Sequence, residues 1–207
     1  SEITEDFESG EPFGRNFNGW TFVDMDGMPV GGFGNYSIPG IEIGTTTALF
    51  FVFDTAAGTY SDSFKAHSGT KYLASLYRHD FGEVNDWLIS PEVRGGTTVS
   101  FMAKTVVEAY GLDKFYFCYS NGDEIKIADF KRIGGVNVVP ASEWTRYEFT
   151  LPEDARYFAI NCVSENTYGF LLDEITYEKA NSEVLEFRGY NVYLSLIHIS
   201  EPTRHSL

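Results

Sequence analysis

Oxygen donors are the residues of this chain best placed to do chemistry. In Asp24-Met25-Asp26-Gly27 two carboxylates stand two residues apart, so an extended backbone sets both on one side, and the glycine lets the chain turn tightly behind them. Such a pair suits calcium, a hard cation that gathers six to eight oxygens from carboxylates and backbone carbonyls. An ordinary Asx-type turn accounts for the same residues. The loop is not an EF-hand, because its fifth position is Met28 and no Glu closes a twelve-residue loop. Glu8 near the start and Asp173 in the last apolar run are further candidates. The first and last strands of a β-sandwich often pair, which would bring these two acids together.

Other chemistries find less. Outside residues 194–207 the histidines are His67 and His79, no Gly-x-Ser-x-Gly elbow occurs, and nothing around Cys118 or Cys162 would lower a thiol pKa. Neither His-Glu-x-x-His nor Cys-x-x-Cys is present. Gly31-Gly32-Phe33-Gly34 lacks the Lys-Ser/Thr and opening helix of a phosphate loop. Paired carboxylates for glycoside hydrolysis are no signal, since 30 acids make some close pair inevitable. Aromatics are the other resource, because an exposed ring stacks on a sugar face. Trp20, Trp87 and Trp144 lie among apolar residues and read as core, whereas Tyr110, Tyr119 and Tyr168 lie near loops and are the candidate ligand platforms.

These residues must be positioned by a chain of 207 residues, long enough for one domain with a real core. Hydrophobic content of 43% with 16% aromatic excludes wholesale disorder. Fifteen Lys+Arg against 30 Asp+Glu give a net charge of −15, which argues against nucleic acid and anionic membrane surfaces as partners. No apolar run approaches the roughly 20 residues of a membrane span, so no membrane insertion is expected. Cys118 and Cys162 are too few for a disulfide scaffold, and pairing or two buried thiols both remain open.

Short runs rich in Val, Ile, Thr, Phe and Tyr alternate with Gly, Pro and Asn turns, the pattern of an all-β sandwich. Strands are expected near Thr4–Glu8, Gly19–Asp24, Ala48–Phe53, Lys71–Tyr77, Asp86–Ser90, Thr98–Thr105, Lys114–Tyr119, Glu124–Phe130, Thr145–Leu151, Arg156–Val163 and Gly169–Tyr177. Asn121-Gly122 between two such runs predicts a tight hairpin. Alternation of Val99, Phe101 and Ala103, and of Phe158, Ile160 and Cys162, predicts strands with one wet face. No ten-residue stretch carries a helical apolar period.

Three segments follow. Residues 1–180 read as the β-sandwich. Residues 181–193 read as a linker and the truncated start of a fibronectin type III-like module, carried by Gly189-Tyr190-Asn191-Val192-Tyr193. Residues 194–207 read as an unstructured artefact, since Leu194–Arg204 resembles the translated adapter of a transposase-based sequencing library. A chain that opens on Ser1 without a basic leader reads as an excised or incomplete piece.

Taken in order, Phe7-Glu8-Ser9-Gly10, Gly19-Trp20-Thr21, Asp24-x-Asp26-Gly27, His67-Ser68-Gly69, Asn85-Asp86-Trp87-Leu88-Ile89-Ser90-Pro91, Trp144-x-x-Tyr147 and Leu172-Asp173-Glu174-Ile175 resemble the cleaved adhesin domain. That family is known from the haemagglutinin/adhesin regions of gingipain-type proteins of anaerobic Bacteroidetes. The resemblance covers about residues 1–179. It implies a galactose-binding-like jelly-roll β-sandwich, a secreted or cell-surface location, and structural calcium held by Glu8, Asp24, Asp26 and Asp173. It also implies attachment to host extracellular proteins or glycans, in some members to haem, without catalysis. The alternative it leaves is a carbohydrate-binding module appended to a secreted peptidase or glycoside hydrolase. Departures are Asn85-Asp86 where the family often reads Asp-Asn, Met28 at the usual third acid, and Asp173-Glu174 in place of two aspartates. Met28 shifts the weight of the calcium expectation to Glu8 and Asp173.

Overall fold

A computed structural model describes residues 1–47 and 50–180, so the fibronectin-like and adapter-like segments at 181–193 and 194–207 lie outside the described residues. Twelve strands follow one another: β1 (Glu2–Glu5), β2 (Thr21–Asp24), β3 (Phe51–Asp54), β4 (Lys71–Leu76), β5 (Asp86–Ile89), β6 (Thr98–Thr105), β7 (Lys114–Ser120), β8 (Lys131–Arg132), β9 (Asn137–Val138), β10 (Thr145–Thr150), β11 (Tyr157–Cys162) and β12 (Gly169–Glu178). Two antiparallel six-stranded sheets result, the all-β jelly-roll sandwich expected from the alternating runs. One has the order β10-β6-β12-β4-β3 with β1 also on β12, and the other β2-β5-β11-β7-β8 with β9 also on β7. β12 is long enough to take two partners along one edge. Leu73 of β4 pairs with Leu172, and Glu5 of β1 pairs with Ile175, so β4 and β1 lie end to end. Among the described residues no helix is long and apolar enough to cross a membrane.

The inward faces of both sheets meet in one aromatic core. Val99, Phe101 and Ala103 of β6 and Phe158, Ile160 and Cys162 of β11 are buried there, as alternation predicts. Phe117 and Phe149 stack at 4.2 Å and 3°. Each such ring removed from water contributes about 1.5–3 kcal/mol.

The expected wet faces are a different matter. Ala159 of β11 is buried too, because Ile127 and Phe130 of the β7–β8 connection pack over Trp87, Ile89, Cys118 and Ala159, and buried Asn161 donates its amide to Asn85 Oδ1 and the Asp86 carbonyl. The outer face of the other sheet is likewise covered, with Phe51, Phe53 and Tyr72 packed under Phe33 and Phe64 from the loops. The expected strand Glu124–Phe130 is therefore corrected to a loop with a 3-10 turn at Ile127–Asp129. Its apolar residues at i and i+3 cap a sheet face, which a period-two reading mistakes for alternation. The tight Asn121-Gly122 hairpin is absent for the same reason. β7 reaches β8 only at Cys118↔Arg132 and Tyr119↔Lys131, across a ten-residue connection at 121–130, and neither Asn121 nor Gly122 has positive φ.

Both cysteines are buried and free. Cys118 joins the outer cluster and Cys162 the inter-sheet core, so the sheet itself separates them. Burial pushes the Cys118 thiol up to about 11, and Cys162 further still, with Asp113 and Asp86 adding to its rise.

Candidate functional site

β2 and β5 are neighbours, and their pairing sets Asp24 opposite Asp86. Asp86 lies in an otherwise apolar strand and is fully buried. Ser75 of β4, in the opposite sheet, donates its hydroxyl to Asp86 Oδ2 at 2.6 Å, while Asp86 Oδ1 has no hydrogen-bond partner among the described residues. Just past β2 the chain turns on its own side chains. Asp24 Oδ1 accepts from the amides of Asp26 and Gly27, Asp26 Oδ1 accepts from Met28, and Asp26 Oδ2 accepts from Asn85 at 2.8 Å. Among the described residues, Asp24, Asp26 and Asp86 are the one trio of potential metal ligands whose oxygens all lie within 4.8 Å of one another. Burial pushes the Asp86 carboxyl well above its ordinary value, and the charges of Asp26 and Asp24 add to the rise against the pull of Ser75. Asp24 is raised by burial and by Asp26. A cation on these oxygens would answer both the repulsion and the unpartnered Oδ1.

Glu8 and Asp173 do not join that trio. They are brought instead to one loop, residues 67–71, close enough for the Glu8 charge to act on Asp173. Asp173, buried at a bulge in β12, accepts from the amides of His67 and Ser68 at 3.2 Å each and from Glu174 at 2.9 Å. Glu8 Oε1 and Oε2 accept from the amides of Thr70 and Lys71, both at 2.8 Å. The Lys71 ammonium donates to the carbonyls of Glu8 and Gly10, both at 3.0 Å, a position in which it serves as a cation itself. Gly69 makes this closeness feasible: its φ is +59°, and a Cβ there would lie 2.3 Å from Glu8 Oε1. Burial pushes Asp173 up to about 7, with Glu174 and Glu8 adding and the loop amides opposing. His67 Nδ1 meets Glu174 Oε2 at 2.5 Å.

The aromatic candidates divide. Tyr110, 61% exposed on a 3-10 turn, stacks on Tyr168 at 5.7 Å and 19°, and Tyr168 stacks in turn on buried Phe33 at 5.6 Å. Tyr119 is not part of this platform. It follows Phe115 and Phe117 on the inward face of β7 and is half-buried against the core. A second stack escaped sequence reasoning: Phe81, 59% exposed, lies parallel to Tyr77 at 6.1 Å and 6°. Glycines let the 31–34 loop close on both stacks, since a Cβ on Gly31 would strike the Tyr77 ring at 2.0 Å and one on Gly34 the Tyr168 hydroxyl at 2.8 Å. Beside them a hollow of ≈ 390 Å³ is lined by Asn35, Ser37 and Glu42 among others. Of the predicted core tryptophans, Trp20 and Trp87 are buried and Trp144 half-buried, with its Nε1 donating to Lys65. Asp86 was also missed as a candidate, although an acid beside the buried run Trp87-Leu88-Ile89 was a readable signal.

No family model matches the chain, and no curated protein does. Solved structures are similar in fold. The K2 cleaved adhesin domain of Lys-gingipain superposes with a TM-score of 0.63 at 20% identity, covering 86% of this chain and 99% of that one. The K1 domain of Lys-gingipain from Porphyromonas gingivalis W83 gives 0.63 at 15%, covering 87% and 99%. The K3 domain from the same organism gives 0.61 at 16%, covering 87% and 100%. The likeness to cleaved adhesin domains noted in the sequence thus extends to the fold.

Proposed function

We propose that the chain is a secreted, non-catalytic binding module that attaches to host proteins or glycans through the loops carrying Tyr110 and Tyr168. The observation that carries this reading is the parallel stack of these rings, with Tyr110 open to solvent and Tyr168 anchored on buried Phe33. A ring held flat and rigid at a surface binds with little entropy to lose. Binding residues commonly sit on loops held by a rigid scaffold, and this scaffold is a sandwich filled by aromatic side chains. The experiment is a panel of host-surface proteins and glycans probed with the wild-type chain and Tyr110→Ala. About tenfold weaker binding by the variant is expected, the scale of a stacked aromatic contact. Binding that ignores the substitution counts against the assignment.

The module's calcium, on the same reading, belongs to Asp24, Asp26 and Asp86. Support comes from the unpartnered, fully buried Asp86 Oδ1 at the trio. Three carboxylates without nitrogen or sulfur donors suit a hard cation. Its role would be structural, tying the 24–28 turn to β5 and, through Ser75, to the opposite sheet.

A further inference from the structure

Four loops meet around the two ring stacks: residues 31–34, 77–85, 106–113 and 164–168. Glu83 and Glu165 bridge the second loop to the fourth, and the Val84 amide donates to Ser164. The Tyr110–Tyr168 stack joins the third loop to the fourth. The exposed rings Phe81 and Tyr110 therefore belong to one end of the sandwich.

Charge on these loops is one-sided. Asp80, Glu83, Glu108 and Glu165 are exposed there, whereas the basic side chains are Arg78 and His79 alone. Arg78 is committed: Nε and Nη2 donate to Asp80, at 2.9 and 2.6 Å, and Nη1 to the Glu83 carbonyl. Glu83, Glu108 and Glu165 take part in no ion pair among the described residues. Glu83 and Glu165 even face each other as bridge partners, a like-charged pairing that is unfavourable until a cation approaches. Electron-rich ring faces on loops that also carry exposed carboxylates outside any ion pair complement a guanidinium or ammonium, which stacks on the one and pairs with the other. The fold already uses this pairing elsewhere, where the Arg132 guanidinium lies 3.6 Å from the centre of the Tyr116 ring.

We infer that this end of the sandwich docks a basic segment of a protein partner, an Arg- or Lys-bearing stretch that lays cationic side chains over Phe81 and Tyr110 between Glu83, Glu108 and Glu165. The inference rests on the attachment role proposed for Tyr110 and Tyr168, and chooses protein over glycan as the occupant. The same charge disfavours sialylated or sulfated glycans, which bring anions to an acidic rim.

The test uses the full chain and three glycine-spaced heptapeptides that carry three Arg, three Ser or three Glu, with a neutral oligosaccharide series as a fourth probe. The Arg peptide is expected to bind best, by calorimetry and by tyrosine chemical shifts. Its affinity should fall about fivefold in Phe81→Ala, the scale of one exposed cation–π contact. It should fall similarly in Glu165→Gln, and again as salt rises from about 50 to 300 mM. Both positions are exposed, so the variants keep the fold, which a melting curve verifies. Equal binding of the Arg, Ser and Glu peptides overturns the inference, as does indifference to both substitutions. Neutral oligosaccharides bound at Tyr110 with no Arg preference overturn it while leaving the attachment role standing. Failure of every probe, together with failure on the host-surface panel, removes both.

Discussion

Asp24 and Asp86 stand directly opposite each other in the β2–β5 ladder, two acids where an opposite-charge pair would stabilise. Without a cation this pairing, with Asp26 beside it, works against the fold. Asp86→Asn should therefore melt higher than the wild type in EDTA and lose the rise that calcium gives the wild type. At a calcium concentration about a hundredfold above Kd that rise is worth about 2.7 kcal/mol, or roughly 5–10 °C for a domain of this size. Melting curves with and without calcium check both halves, and a wild-type midpoint that ignores EDTA rejects the site.

Glu8 behaves differently in this account. Its carboxylate holds the amides of Thr70 and Lys71, so Glu8→Ala should cost about 1–3 kcal/mol by leaving those donors unpaired, while the calcium response persists. Gly69→Ala should damage the same clasp by forcing a Cβ against Glu8 at a left-handed backbone position. Denaturant titration of each variant in calcium and in EDTA separates the clasp from the metal. Loss of the calcium response in Glu8→Ala would move the metal to Glu8 and Asp173.

Asp173 gives the pH dependence a direction. In the unfolded chain its carboxyl ionises near the ordinary value of 3.8, and in the folded chain at about 7. Between these values unfolding releases a proton, so stability falls as pH rises through the window. The contribution is fully in place only below about 4, and the loss is complete above about 7. Its slope is at most about 1.4 kcal/mol per pH unit. Asp173→Asn should flatten the wild-type curve between pH 4 and 7 in EDTA, as read by urea midpoints. Parallel curves for the two proteins would dismiss the effect.

The thiols should be inert. Cys118 and Cys162 face opposite sides of the β7–β11 sheet and are both buried, so reductant should leave the melting temperature unchanged. Alkylation by iodoacetamide should await unfolding, since neither thiol ionises near neutral pH. Mass spectrometry after native labelling tests this, and a disulfide-linked peptide would contradict it.

Much of the fold was legible because alternation and burial are the same fact seen twice. β6 runs Thr98–Thr105 as expected, and Val99, Phe101 and Ala103 point inward. What failed was any inference that needed the covering layer. The outward side of β11, with Tyr157 and Asn161, looks like a wet face until Ile127 and Phe130 fold over Ala159 between them, and the loop that does so mimicked a strand. The candidate site was legible where its candidate ligands are close in sequence, as with Asp24 and Asp26. Asp86 enters through sheet pairing across 60 residues, and the Phe81–Tyr77 stack through a turn that holds Phe81 at a φ of +65°. Tyr119 lies next to a loop by sequence, but strand parity placed it inward.

The end-to-end placement of β1 and β4 along β12 has a mechanical consequence. Glu2 pairs with Glu178 and Glu5 with Ile175, so the chain enters and leaves the sandwich at the same end of one antiparallel pair. A pull applied to both ends loads these hydrogen bonds one at a time, as in a zipper, rather than all together in shear. Peeling would begin at Glu2 and meet its first firm stop where Lys71 grips the carbonyls of Glu8 and Gly10. Under tension the first strand would thus be shed at low force while the rest of the sandwich held.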